Sequence, residues 1–441
     1  MKPIVLLLGS LTAVTWIGAA DHAGGWNDGS RLATVECLVD HGTWAIDRSV
    51  FLTPRPYGPY ADRLPHGTLD RLMIDGRYYS DKSPILALVL AAPYAVFRVA
   101  GGPAFADRPE IACKLLAFSS SGLSLVVVAA CLFAFARRRG LSEPASAALA
   151  GSLAVSTLLL PYSRYVNNHE TLAALTAATL LAIDAARWPL AGLLAGLAYA
   201  TDLGAGPAIL LATSAYACLV LARSGERTRL LCFALSAAVG VLGHHALNYR
   251  IGGTLGPANA NPEFFHWPGC PFTAESLSGG WRHPTPWHFA GYALDLLFGK
   301  KGFYGHNPAF LLLLPALPPA CRSPLGRLCL AWLAGVWLVY AAGSNNYSGE
   351  CLSVRWFVPL VVPAAALVIE LVAHHPAWAG PLAWLVACGV AVNVTGWWVG
   401  PWSAKVPGFW AFTAAAIVGA ICLRPRFAPG EAALPSLKRA A

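Results

Sequence analysis

The chain has 441 residues, of which 56% are hydrophobic and only 12% charged, against about 25% charged in soluble globular proteins. That balance, with a mean hydropathy of +0.54, excludes a water-soluble enzyme, and 42 Gly and 33 Pro scattered without a period exclude collagen-like or low-complexity sequence. A net charge of +9 would suggest a nucleic-acid partner in a soluble protein; here the cations stand at alternate ends of apolar runs, so no nucleic acid is expected and the sequence predicts an all-α polytopic membrane protein.

About 20 apolar residues in a helix cross the hydrocarbon core. In chain order, spans are expected at about 3–20, 112–135, 143–161, 169–186, 188–201, 204–222, 228–248, 304–319, 327–343, 356–373, 379–399 and 408–424. They make a bundle of about 12 transmembrane helices within a single membrane-embedded domain over 1–441. The run 84–98 is too short for a crossing, and counting it would move Arg137, Arg138 and Arg139 to the other side; it reads as a re-entrant or interfacial helix. The run Trp188–Ala222 is broken at Asp202 to Pro207, a break tolerated where protein or a wet cavity covers the backbone. Residues 1–20 also fit a signal peptide ending near Gly18-Ala19-Ala20, whose removal would leave eleven spans.

Lys2, Arg137 to Arg139, Arg187, Arg223, Arg227, Arg229, Arg322, Arg327, Arg424, Arg426, Lys438 and Arg439 gather on one side of this plan. By the positive-inside rule both termini are then cytoplasmic, with 425–441 as a cytoplasmic tail. The segments 21–111, 162–168, 250–303 and 344–355 face outward, together with every acid except Glu143, Asp184, Glu226, Glu370 and Glu431. Chemistry is therefore expected on the outer face. No Cys or His spacing suits zinc, and the adjacent pairs His244-His245 and His374-His375 point to different helix faces, so no metal site is assigned, although outer acids leave a divalent ion open. Cys37, Cys270 and Cys351 fall outside, where a disulfide is chemically allowed.

After the first span, Leu32, Val35 and Val39 recur at helical spacing, which predicts an interfacial helix ended by Gly42 with Asp28 at its N-terminus. There Asp28 is either an ionised catalytic carboxylate or simply a cap. Lys82, in Asp75-Gly76-Arg77-Tyr78-Tyr79-Ser80-Asp81-Lys82-Ser83-Pro84, sits at headgroup level, where an ammonium either reaches a lipid phosphate or snorkels. Lys300-Lys301-Gly302-Phe303-Tyr304 is basic and aromatic, suited to anchoring at headgroups.

Asp28-Gly29-Ser30-Arg31, Tyr79-Ser80-Asp81-Lys82-Ser83-Pro84 and the Asn168-His169 pair opening a later helix together resemble the GT-C superfamily of integral-membrane glycosyltransferases. That superfamily includes protein O-mannosyltransferases and bacterial aminoarabinose transferases. The likeness is densest in the first 190 residues and returns at Asn345-Asn346-Tyr347-Ser348-Gly349-Glu350 and Val354-Arg355-Trp356-Phe357. Two departures stand out: the family's acidic pair is Asp28-Gly29 here, and its Lys-Pro-Pro is Lys82-Ser83-Pro84.

The resemblance implies a polyprenyl-phosphate lipid carrying the sugar, with the membrane as a second partner, an acceptor glycan, lipid or protein, no separate cofactor, and a bacterial cytoplasmic membrane as the setting. Such a transfer needs a carboxylate to take the acceptor's proton, for which Asp28 is the candidate, and cations for the departing phosphate, in the order Lys82, Arg355, Arg31. Arg31 is equally placed to orient Asp28. Tyr79, Asp81, Arg164, Asn168, His169, Asp202, Tyr347 and Glu350 complete the expected substrate-binding set; Asp202 alternatively caps the helix that follows it. A transporter and an envelope scaffold are the rival readings. The spans show neither the midplane charges nor the two-fold repeat of an ion-coupled transporter, and a scaffold gives no reason for Asp28, Lys82 and Arg355 on one face.

Overall fold

The computed structural model describes residues 2–52, 67–273, 280–402 and 406–425, so the expected tail lies outside the described residues beyond Pro425. Its helices in chain order are α1 Pro3–Gly18, α2 Trp26–Asp40, α3 Pro84–Val99, α4 Pro109–Ala117, α5 Leu123–Arg138, α6 Glu143–Val155, α7 Leu159–Tyr162, α8 Asn168–Asp184 and α9 Trp188–Thr201. They continue as α10 Ala205–Arg223, α11 Arg227–Gly252, α12 Pro286–Phe298, α13 Phe303–His306, α14 Leu313–Arg322, α15 Pro324–Gly343, α16 Val361–His374, α17 Ala379–Val399 and α18 Phe409–Cys422. Every run expected to span is helical. Among the described residues, 6 helical runs are long and apolar enough to cross a membrane: Pro109–Arg138, Ala205–Arg223, Arg227–Gly252, Pro324–Gly343, Arg355–His374 and Pro376–Val399.

Interruptions in the expected spans have identifiable causes. α4 and α5 join through a π turn at Phe118–Gly122, and the third run stops at Ser156 before resuming in α7. The backbone freed there is recovered from distant helices: Asn307 Oδ1 accepts the Leu158 amide at 2.9 Å, and Asn393 Nδ2 donates to Ser156 O at 3.0 Å and His306 O at 2.8 Å. In an apolar bundle such partners let a broken helix exist without orphaned amides. α9 and α11 pack more closely than any larger residue would allow, since a Cβ on Gly192 or Gly196 would stand 2.2 Å and 2.1 Å from the carbonyl oxygens of Phe233 and Ala237.

The segment 84–98 is helical as α3 and runs alongside α2. Ser30 Oγ meets Ser80 Oγ at 2.6 Å beside one pair of ends, and Arg98 Nε bonds Asp40 at 2.8 Å at the other, where Tyr94 OH also donates to Asp40. The predicted α2 is present over Trp26–Asp40 and is buried against the protein throughout Asp28 to Cys37. A short antiparallel hairpin, β1 Arg71–Ile74 with β2 Arg77–Ser80, leads into α3 and pairs Leu72 with Tyr79. Cys37, Cys270 and Cys351 are all free thiols, so the bridge left open by the sequence is not formed.

At the end of the bundle away from these loops, Arg138 and Arg139 converge on Asp184, Arg139 Nη2 at 2.8 Å, and Arg139 also pairs with Glu370.

Candidate active site

Four separate segments meet at the loop end: the first turn of α2, the first turn of α8, the α9–α10 junction and the loop 344–355 after α15. Asp28 is the third residue of α2 and only 1% exposed. Its carboxylate accepts the amides of Gly24 at 2.6 Å and Gly25 at 2.8 Å, so it caps its own helix, and each oxygen keeps a further lone pair. Burial raises its pKa to about 6, against the opposing pull of those amides and of Arg31.

One turn later, Arg31 makes no ion pair with Asp28. Its guanidinium donates to Asn27 O at 2.8 Å, to the Asn27 side chain and to Asn168 Oδ1 at 2.7 Å, while its Nε has no partner. Burial lowers its pKa to about 10, which leaves it charged at neutral pH.

Asn168 links Arg31 to Asp202, donating to Asp202 Oδ2 at 2.6 Å. It reaches this point because Ser121, in the π turn, donates to Tyr165 O at 2.5 Å and receives the Asn167 amide at 3.2 Å, fixing the turn that precedes α8. His169 Nδ1 lies 3.1 Å from the same oxygen of Asp202. Asp202 Oδ1 receives the amides of Gly204 and Ala205 at 2.8 Å and 2.9 Å and the hydroxyl of Tyr340 at 3.3 Å. One Asp202 oxygen thus caps the start of α10, and the other faces Asn168 and His169. Gly204 is required here, because a Cβ would sit 2.1 Å from Tyr340 Oη.

Arg355 enters from the loop 344–355. Its amide donates to Ser348 Oγ at 3.0 Å, its guanidinium carbon lies 5.7 Å from the Trp402 ring centre, and its buried Nε has no partner. Neighbouring Trp356 stacks on Tyr340 at 4.3 Å. The loop is bent at Tyr347, Ser348, Gly349 and Ser353, with φ of 50°, 64°, 76° and 57°. Such left-handed non-glycine residues persist only where the surroundings hold them: Tyr347 OH donates to Asp295 at 3.1 Å, Ser353 Oγ donates to Lys301 O at 2.9 Å, and Lys301 Nζ donates to Gly349 O. Lys301 thus pins this loop as well as standing at a basic boundary.

Lys82 is not the free cation its sequence position suggests. Its Nζ stands 2.7 Å from both Asp70 and Asp81, which leaves one of three N–H directions open. Asp81 Oδ1 is buried without a partner, and burial raises the Asp81 pKa against the pull of Lys82. Ser80 to Pro84 also line a small pocket with His244, Asn248 and Asn259.

Three expected site residues stand apart from this cluster. Arg164 spends its donors on the carbonyls of Gly18 and Trp397 and clamps α1 to the end of α17. Tyr79 packs against the cluster of Leu72, Ile74 and Phe265 under the hairpin. Glu350 is exposed at the tip of its loop. Conversely, Asp70, Asn27, Tyr340 and Trp402 belong to the site and carry no linear signal, since their partners lie far along the chain. Among the described residues no group of three His, Cys, Asp or Glu side chains converges to hold a metal ion.

No family model matches the sequence, and no curated protein matches it. The fold is similar to the crystal structure of ArnT from Cupriavidus metallidurans bound to undecaprenyl phosphate, with a TM-score of 0.53 over 95% of this chain and 76% of that one, at 14% identity. At that identity the likeness is one of fold: the chain shares the polytopic helical architecture of that structure.

Proposed function

We propose that this protein is a glycosyltransferase that moves a sugar from a polyprenyl-phosphate donor to an acceptor. The observation that carries the reading is the pair of guanidinium groups, Arg31 and Arg355, each with a buried unpartnered Nε, at one end of a membrane bundle beside a buried carboxylate. A phosphate supplies the acceptors those donors lack. The similar fold of a protein crystallised with undecaprenyl phosphate agrees with this choice of ligand.

In this reading the lipid phosphate enters between Lys82, Arg31 and Arg355. Asp28 takes the proton of the acceptor hydroxyl or amine as the acceptor attacks the anomeric carbon, and the sugar–phosphate bond breaks on the far side. A single displacement inverts the anomeric centre. Asp28, with its pKa near 6, is ionised at neutral pH and close enough to that range to accept a proton. The donor brings its own activated bond, so the reaction calls on no separate cofactor. The basic residues of the opposite end support an orientation with both termini in the cytoplasm and the site facing outward, and the similarity to a bacterial protein's fold agrees with a bacterial cytoplasmic membrane as the setting.

The test is native mass spectrometry of the full chain with undecaprenyl phosphate. Specific binding that is lost in Lys82→Ala and Arg355→Ala is the expected result. Binding no stronger than that of bulk anionic lipid refutes the donor assignment.

A further inference from the structure

The reaction above uses Asp28 and three cations and leaves the buried pair His169 and Asp202 without a task. His169 is 4% exposed and Asp202 5%. The imidazole Nδ1 lies 3.1 Å from Asp202 Oδ2, an ion-pair contact, and makes no hydrogen bond among the described residues, so a proton carried on Nδ1 has this carboxylate as its neighbour. Nε2 has no hydrogen-bond partner among the described residues. Asp202 is itself held by four donors, from Asn168, Gly204, Ala205 and Tyr340, so it orients the imidazole from a fixed point. A carboxylate in that position also favours the imidazolium, as it does wherever an acid orients a working histidine.

The charged groups that face His169 are Asp202 from the α9–α10 junction, Arg355 from the loop before α16 and Arg31 from α2. Two of these three are the cations assigned to the leaving phosphate, which puts the imidazole on the donor side of the site. A phosphate bound between the two arginines offsets their repulsion of a third positive charge.

We infer that His169, positioned by Asp202, is a general acid for the departing lipid phosphate. The inference rests on the glycosyltransferase reading. The donor is a phosphodiester with one negative charge. As the acceptor oxygen or nitrogen bonds to the anomeric carbon, the bond from that carbon to the phosphate oxygen breaks, and its electron pair stays on the oxygen. That oxygen takes the Nε2 proton, giving a singly charged phosphomonoester and a neutral imidazole, while Asp28 holds the proton lost by the acceptor. Return of that proton through water to Nε2 resets the site. The match is one of chemical kind: the second ionisation of a phosphomonoester lies at about 6, so the departing oxygen is basic enough to take a proton from an imidazolium. Asp202 touches no substrate in this scheme; it is a positioning residue.

Phosphorus NMR of undecaprenyl phosphate bound to the full chain in lipid nanodiscs, followed between about pH 5 and 8, tests this without knowledge of the sugar. In the wild type the phosphate resonance is expected to follow two steps, its own and that of the imidazole. His169→Gln is expected to bind the lipid and lose one step. Asp202→Asn, which deletes the carboxylate favouring the imidazolium, is expected to move that step to lower pH. A His169→Gln curve superimposable on the wild type, with binding retained, overturns the general-acid role while leaving the glycosyltransferase reading intact. If His169→Gln fails to fold, an unmoved step in Asp202→Asn overturns it equally. A wild type that does not bind the lipid specifically removes the donor reading, and this inference with it.

Discussion

The two ends of the bundle each hold a cluster of arginines and acids, and they are built oppositely. At one end Arg138, Arg139, Asp184 and Glu370 satisfy one another, so every charge has a protein partner. At the other, Arg31 and Arg355 keep unpartnered buried nitrogens, Asp81 keeps an unpartnered oxygen, and Asp28 is raised toward neutrality by burial. A complete cluster holds helices together; an incomplete one is poised for something that arrives later. Charge placement in the sequence does not separate the two, because both look like arginines near membrane ends.

This contrast is broken most sharply at Asp28. Asp28→Asn keeps the shape and loses the base, and the expected fall in turnover is about 100-fold or more. The wild-type rate is expected to rise with pH through about 6, as the carboxyl whose pKa burial has raised becomes ionised, and this limb is expected to vanish in the variant. A turnover assay across pH in a folded, membrane-inserted variant decides; wild-type turnover would leave Asp28 a helix cap alone.

Arg355→Met sharpens the comparison from the binding side. Removing a charge-assisted contact to phosphate is expected to weaken undecaprenyl phosphate binding by about 10- to 100-fold. Because the unpartnered nitrogen is lost as well, Tm is expected to hold or rise. Arg139→Met is expected to do the reverse: a loss of about 1 to 2 kcal/mol in stability, between the values for exposed and buried pairs, with lipid binding unchanged. Thermal unfolding and native mass spectrometry on the same two proteins measure both halves. If Arg139→Met abolished binding while leaving Tm alone, the assignment of the two ends would be inverted.

Helix positions were legible in the sequence because a span is a local property: its length and apolarity are read from consecutive residues, and the break at Asp202 announces itself by Gly204, Gly206 and Pro207. The placing of Asp28 in the first turn of a helix was legible for the same reason. Partnerships were not. Lys82 meets Asp70 through the hairpin, Asn168 joins Arg31 to Asp202 across three segments, and Arg355 finds Trp402 beyond a whole span. Arg164 shows the cost of reading a charge by its neighbourhood: it stands four residues from Asn168 in sequence, yet its guanidinium is consumed by the carbonyls of α1 and α17.

Glu350 gives the smallest effect and the cleanest control. It shares the loop that delivers Arg355, so a reading based on sequence neighbourhood would make the two equally important. Their surroundings differ: Arg355 lies over Trp402 with its amide fixed by Ser348, while Glu350 is exposed at the loop tip. The loop's shape rests on Lys301, Asp295 and Ser353, none of which bonds the Glu350 side chain. Glu350→Gln is therefore expected to change undecaprenyl phosphate binding by less than about twofold, within the range of an exposed surface substitution. A tenfold loss measured by the same native mass spectrometry would mean that the loop tip itself folds onto the lipid.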